Sequence, residues 1–147
     1  ARDRAPVRAP AFDIEAAIRK IPDHPTRGIL FYDLMPLFQS PAGLSACIDR
    51  IAAWARDRQP EVVLGAEARG FILGGALAQA LGIGFAAARK PGRLPAETVR
   101  EEYDLEYGSD ALEVHRDAIR PGQKVLVHDD LPATGGAGLG KCRLVEA

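Results

Sequence analysis

Lys124-Val125-Leu126-Val127-His128-Asp129-Asp130-Leu131-Pro132-Ala133-Thr134-Gly135-Gly136-Ala137 is the stretch on which the reading of this chain turns. A short apolar run, introduced by the turn Pro121-Gly122, reads as a buried strand over 124–128 and gives directly onto two adjacent acids. Small residues follow, and then a helix-like run to Ala147. A loop of small residues entering a helix N-terminus offers free backbone N–H groups and the positive end of the helix dipole, an anion site best suited to phosphate. Ala133, Thr134, Gly135, Gly136 and Ala137 form that loop: Thr134 adds a hydroxyl, and the glycines permit close approach of the backbone. Asp129 and Asp130 cannot face the same phosphate without repulsion. They suit a neighbour that presents hydroxyls or a divalent cation, such as a ribose diol with Mg²⁺. Phosphate beside a sugar diol describes a ribose 5-phosphate, although a plain acidic strand end with a Gly-rich turn fits the same composition.

Upstream, strands alternate with helices. Asp13 can cap a short helix with an apolar face of Ile14, Ala17, Ile18 and Ile21. The Pro/Gly-rich stretch over 22–41 is irregular but holds the apolar cluster Ile29-Leu30-Phe31-Tyr32. Ser40-Pro41 starts a helix reaching about residue 58, with Leu44, Cys47, Ile48, Ile51 and Ala55 at helical spacing. Val62-Val63-Leu64 is a buried strand ending at Gly65, 71–81 a helix terminated by Gly82, and 83–88 a second buried strand. Residues 98–103 and 111–115 read as two polar-faced strands of a long hairpin leaning off the sheet. The order implies an α/β fold, a mostly parallel, Rossmann-like sheet flanked by helices. Ligands of such sheets bind beyond the carboxyl ends of the strands. That singles out Glu67-Ala68-Arg69-Gly70, Arg89-Lys90-Pro91-Gly92-Arg93 and the loop after His128.

The 147 residues fit a single domain, and 47% hydrophobic with 27% charged residues is ordinary for a globular protein. A formal net charge of −1 gives no reason to expect a nucleic-acid or membrane partner. Arg2, Arg4 and Arg8, interrupted by Pro6 and Pro10, read as a frayed arm. Cys47 and Cys142 have neither disulfide-framework nor metal spacing, which suits a reducing cytoplasm. No apolar run approaches the roughly 20 residues of a membrane span, and the N-terminus lacks a signal-peptide core, so a cytoplasmic location is expected.

The stretch Val125-Leu126-Val127-His128-Asp129-Asp130-Leu131-Pro132-Ala133-Thr134-Gly135-Gly136-Ala137 resembles the phosphoribosyl-diphosphate signature of the type I phosphoribosyltransferases. Glu67-Ala68-Arg69-Gly70-Phe71, Arg89-Lys90-Pro91-Gly92-Arg93-Leu94-Pro95 and Leu105-Glu106-Tyr107-Gly108 resemble its adenine branch, as does the run from Ile21-Pro22-Asp23 through Gly28 to Asp33. These separated motifs stand in the family's order from about residue 18 onward, and together they are far more specific than any one of them.

The resemblance implies a transferase of purine salvage, a glycosyltransferase that moves the phosphoribosyl group of phosphoribosyl diphosphate to N9 of adenine. The products are AMP and pyrophosphate, Mg²⁺ is required, and a homodimer is expected. It implies an N-terminal hood and a projecting hairpin lid. Asp129 and Asp130 would hold the ribose hydroxyls, directly or through Mg²⁺ carried by the substrate, and Ala133 to Ala137 would cradle the 5-phosphate. Arg69 would bind pyrophosphate, with Glu67-Ala68 as a tight turn containing a non-proline cis peptide. Lys90 and Arg93 would add positive charge. Glu106 would be the acid/base, carried with Tyr107 on a lid over 96–110. Leu30 and Phe31 would read and stack on the base.

Several positions depart from the family pattern. Ala137 stands where threonine is usual, and the lost hydroxyl would cost roughly 1.5–3 kcal/mol of phosphate binding. His128 and Pro132 replace apolar residues, and Tyr32 replaces a basic one. The family continues with a further strand and closing segment, so a domain lacking these after Ala147 is expected. Three rivals stand beside this reading. Gly135-Gly136-Ala137-Gly138-Leu139-Gly140-Lys141 fits a nucleotide-binding P-loop, but Cys142 replaces the Mg²⁺-ligating Ser/Thr. The others are a transferase of another purine base and a non-catalytic phosphoribosyl-diphosphate-binding regulator.

Overall fold

The computed structural model describes residues 11–104 and 109–129. The chain divides into two compact units between Asp49 and Arg50.

In the first unit Asp13 caps α1 (Ile14–Ala17), its carboxylate accepting the Ala16 N–H at 3.2 Å. The helical period through Ile18 and Ile21 is not followed. Ile18 is extended (φ −78°, ψ 124°) and leads into β1 (Arg19–Ile21), which pairs antiparallel with β2 (Phe31–Asp33). The register sets Arg19 opposite Asp33, and their side chains form an ion pair at 3.4 Å. Between the strands, Asp23 accepts the Gly28 N–H at 2.7 Å, and His24 meets the edge of Phe31 with ring centroids 5.0 Å apart. A short helix, α2 (Met35–Gln39), follows. Its Pro36 lies in the first turn, where a missing N–H costs no hydrogen bond. Leu37 is buried, and its carbonyl and side chain close over Gly43, where a Cβ would sit 2.5 Å from the Leu37 oxygen.

Helix α3 (Pro41–Arg56) runs across the division, opened by Ser40 Oγ accepting the Gly43 N–H at 3.2 Å. It ends two residues short of the expected limit in a final turn closed by Arg58 N–H to Ala55 C=O.

The second unit is built on a parallel sheet of order β4-β3-β7, with β3 (Val62–Ala66) central and flanked by β4 (Gly84–Ala88) and β7 (Val125–His128). Every residue of β3 is buried, as a central parallel strand covered on both faces must be. The strand does not stop at Gly65. It continues through Ala66, and Gly65 instead leaves room for the Phe85 ring, which a Cβ there would meet at 2.8 Å. Strand β4 begins one residue later than expected and is buried only at Ala86 and Ala88. Strand β7 is half-buried rather than buried, with Val127 37% exposed.

Helix α4 (Gly70–Leu81) buries Leu73, Leu77 and Ala78. It ends at Gly82, whose left-handed φ of +69° lets its N–H reach the carbonyls of Ala78 and Gln79. Strands β5 (Thr98–Asp104) and β6 (Ser109–His115) form the antiparallel hairpin, in register from Thr98–His115 to Asp104–Ser109. Its root does not lean away from the sheet. Leu112 and Val114 join Val62, Leu64, Ala66, Ala86 and Ala88 in one hydrophobic cluster.

Candidate active site

The three parallel strands end side by side. In register, Ala66 lies opposite Ala88, and Gly65 opposite His128. The chain therefore brings the turn 67–70, the loop 89–93 and Asp129 to one edge of the sheet, the edge where open α/β sheets take their ligands.

The first segment, Glu67-Ala68-Arg69, joins β3 to α4 through a cis peptide between Glu67 and Ala68. Ala68 and Arg69 are exposed, and the Phe71 and Ile72 N–H groups are already engaged by the carbonyls of Ala68 and Arg69. Glu67 turns toward the second segment: its carboxylate accepts the Lys90 backbone N–H and pairs with Arg89 at 3.2 Å. The Lys90 N–H holds this carboxyl below the ordinary carboxylate value, burial opposing, with Arg89 adding further depression and Arg93 a smaller one.

In the second segment Lys90 and Arg93 are exposed, and Lys90 Nζ lies 4.0 Å from Asp110. Gly92 adopts φ +79° and donates its N–H to Glu113 at 2.7 Å. The same carboxylate accepts the Thr98 hydroxyl at 2.6 Å. The Thr98 and Gly92 hydrogen bonds together hold the Glu113 carboxyl below its ordinary value. Backbone bonds in both directions join Arg89 to Glu113. Sequence reasoning missed Glu113 and the Arg89–Glu67 pair. A signal was present, since an acid between Leu112 and Val114, both buried, points by strand alternation to the face opposite them.

Asp129 follows β7 at the third strand end. A Cβ on Gly70 would lie 3.3 Å from the His128 carbonyl and 3.7 Å from Asp129 Oδ1, so the acid stands close to the start of α4. Asp130, Ala133, Thr134, Gly135, Gly136 and Ala137 of the phosphate loop lie outside the described residues, as do Glu106 and Tyr107 of the lid. In the first unit Leu30 is exposed and Phe31 half-buried. Asp33 is committed to Arg19 and to the Met35 N–H.

No protein-family model matches the chain. It is 51% identical over 136 residues to the adenine phosphoribosyltransferase of Desulfitobacterium hafniense (strain Y51), an alignment covering 92% of this chain and 79% of that protein. The chain belongs to the adenine phosphoribosyltransferase family. Among solved adenine phosphoribosyltransferases, that of Thermoanaerobacter pseudethanolicus superposes with a TM-score of 0.86 at 46% identity, covering 90% of this chain and 77% of the other. The Saccharomyces cerevisiae enzyme, solved with D-2,5-dideoxy-2,5-imino-altritol 1,6-bisphosphate and adenine, superposes at 0.87 with 38% identity, covering 90% and 78%. The parallel sheet flanked by helices, with its antiparallel hairpin, is the type I phosphoribosyltransferase fold.

Proposed function

We infer that this chain transfers the 5-phosphoribosyl group of phosphoribosyl diphosphate to adenine, releasing AMP and pyrophosphate in purine salvage. The observation carrying this is the convergence of Arg69, the loop 89–93 and Asp129 at one sheet edge in a chain half identical to adenine phosphoribosyltransferases. In the transfer, N9 of adenine bonds to C1′ as the bond from C1′ to pyrophosphate breaks, and the electron pair leaves with pyrophosphate. Arg69, Lys90 and Arg93 neutralise the developing negative charge, the role for which cations at a strand end are suited. All three residues are exposed at the strand ends, where an arriving anion can reach them. Glu67, whose own carboxylate is committed to Arg89 and Lys90, contributes with Ala68 the backbone of the turn that carries Arg69.

Asp129 and Asp130 hold the ribose hydroxyls, and residues Ala133, Thr134, Gly135, Gly136 and Ala137 take the 5-phosphate through backbone N–H groups. Glu106 accepts the imidazole-ring proton that adenine releases, and Tyr107 closes with it over the substrates, excluding water that would hydrolyse the activated sugar. Leu30 and Phe31 recognise adenine. Among the described residues no three His, Cys, Asp or Glu side chains gather to hold a metal ion. Asp129, which follows β7, suits Mg²⁺, which commonly takes one or two carboxylates together with substrate oxygens. Mg²⁺ supplies further charge neutralisation on the diphosphate. A homodimer in the cytoplasm completes the reading, supported by the family resemblance and by a composition suited to a reducing compartment. Sedimentation at micromolar concentration tests the dimer.

The assay is AMP formation from adenine and phosphoribosyl diphosphate with Mg²⁺. Stoichiometric AMP and pyrophosphate are expected. Binding of phosphoribosyl diphosphate with no AMP would leave the chain a regulator, and ATP hydrolysis without AMP formation would favour the P-loop reading.

A further inference from the structure

The loop 89–93 is short and rich in cations, yet two carboxylates, one from the turn after β3 and one from β6, hold it by its backbone. At one end Glu67 accepts the Lys90 N–H and pairs with Arg89. At the other, Glu113 accepts the Gly92 N–H at 2.7 Å and the Thr98 hydroxyl at 2.6 Å. The Arg89–Glu113 backbone bonds, 2.9 and 2.7 Å long, fix the strand that presents Glu113 directly against the loop. An ionised carboxylate only accepts, so it can take both donors at once, and each bond is charge-assisted. The lowered carboxyl pKa is consistent with that state at neutral pH.

We propose that Glu113 is a positioning residue for pyrophosphate: it locks Gly92 to Thr98 at the root of the hairpin, holding Lys90 and Arg93 where the diphosphate binds. The energetic reason is ordering. Without Glu113 the stretch from Pro91 to Arg93 loses its tertiary hydrogen bond, and the loop must be ordered at the moment of binding instead of beforehand. Glu113 itself touches no substrate in this account. Its effect therefore falls on the affinity for the diphosphate group and not on adenine. Thr98 shares the role, since its hydroxyl holds the second oxygen and thereby the orientation of the first.

This inference rests on the pyrophosphate reading of the loop, and the test separates the two. Calorimetric titration of inorganic pyrophosphate with Mg²⁺ into wild type, Glu113→Gln, Glu113→Ala and Thr98→Val is combined with steady-state AMP formation. Glu113→Ala removes both charge-assisted hydrogen bonds, and loss of the one that holds the loop directly is enough to predict at least about tenfold weaker pyrophosphate binding and a similar rise in KM for phosphoribosyl diphosphate. The KM for adenine is expected to stay within about twofold, because a preorganisation cost falls on the ligand that orders the loop. Glu113→Gln is expected to recover most of the loss, since its amide oxygen can still accept from Gly92 while its NH₂ donates to the Thr98 oxygen. Thr98→Val removes one arm with little change of volume. It gives an intermediate loss and keeps the test open if Glu113→Ala does not fold.

Equal pyrophosphate affinity in wild type and in the folded variants overturns the proposal, and so does a rise in adenine KM that tracks the rise for the diphosphate. A wild-type chain that binds pyrophosphate and shows the graded series, but forms no AMP, refutes the transferase reading and leaves the role of Glu113 standing. A wild type that does not bind pyrophosphate refutes the role.

Discussion

Two adjacent glycines of α4 give a controlled test of how the site is braced. Gly74 is buried, and a Cβ there would lie 2.7 Å from Cε2 of Phe85; Gly75 is exposed, and a Cβ there would meet nothing within 4 Å. The Phe85 ring occupies a slot between Gly65 of β3 and Gly74 of α4, edge-on to Phe71 with centroids 5.7 Å apart. Alanine at either position gains about 0.5–1 kcal/mol of helix propensity. At 75 that gain stands alone. At 74 it is offset by overpacking of about 1–3 kcal/mol, because the ring is blocked by Gly65 and must leave the slot. Gly75→Ala is therefore expected to raise the melting temperature by about 2–3 °C, at roughly 3 °C per kcal/mol for a chain of this length. Gly74→Ala is expected to lower it by up to about 7 °C on the same scale. Replacing Phe85 by leucine should relieve the clash and shrink the gap between the two. Scanning calorimetry reads both. Equal stabilisation by the two alanines would show that Phe85 does not fill the slot. Because α4 begins directly after Arg69, Gly74→Ala is also expected to raise KM for phosphoribosyl diphosphate more than Gly75→Ala does.

Other outcomes follow from the same geometry. Gly82→Ala should destabilise by about 1 kcal/mol through its left-handed backbone alone, since the added methyl has open space around it; unchanged stability in urea denaturation would contradict that. The Glu67 carboxyl titrates below its ordinary 4.5, so its stabilising contribution is complete above that pH and is lost as the pH falls through the lowered value. Glu67→Gln should therefore be less stable than wild type at neutral pH, with the difference narrowing below pH 4.5; parallel stability curves would sink this assignment. Glu106→Gln is expected to lower kcat with little change in substrate affinity, whereas Asp130→Asn should weaken phosphoribosyl-diphosphate binding. Wild-type turnover in the first, or unchanged affinity in the second, removes the role given to that residue.

The helices and strands of the second unit were legible because periodicity and caps agree there. Leu73, Leu77 and Gly82 mark one helix, and the unbroken apolar run at 62–64 marks a strand buried on both faces. The first unit was less so, for two local reasons. Arg19-Lys20-Ile21 forms a strand only because Phe31-Tyr32-Asp33 arrives opposite it, a pairing that no short window contains. The helix at 35–39 was hidden by Pro36, which breaks helices in their interior but is harmless in a first turn. Gly65 was read as a strand end when its purpose is to admit a ring from the neighbouring strand.

At the site, the three strand ends could be named from sequence because parallel topology dictates where they go. The two carboxylates that hold the middle loop could not. Glu67 was expected to serve the ligand through the backbone of its turn, and the reach of its side chain to the next strand end joins residues too far apart in sequence to be read from it. Glu113 was not singled out, because the backbone bonds to Arg89 that set it beside Gly92 join residues far apart in sequence.

The most direct test of the account is a base panel: adenine, hypoxanthine, guanine and xanthine, each with labelled phosphoribosyl diphosphate and Mg²⁺, followed for nucleotide and pyrophosphate. The account predicts AMP and pyrophosphate in equal amounts from adenine, with the other three bases used far more slowly. Faster turnover of hypoxanthine, guanine or xanthine would contradict it, as would bound phosphoribosyl diphosphate with no nucleotide formed from any base.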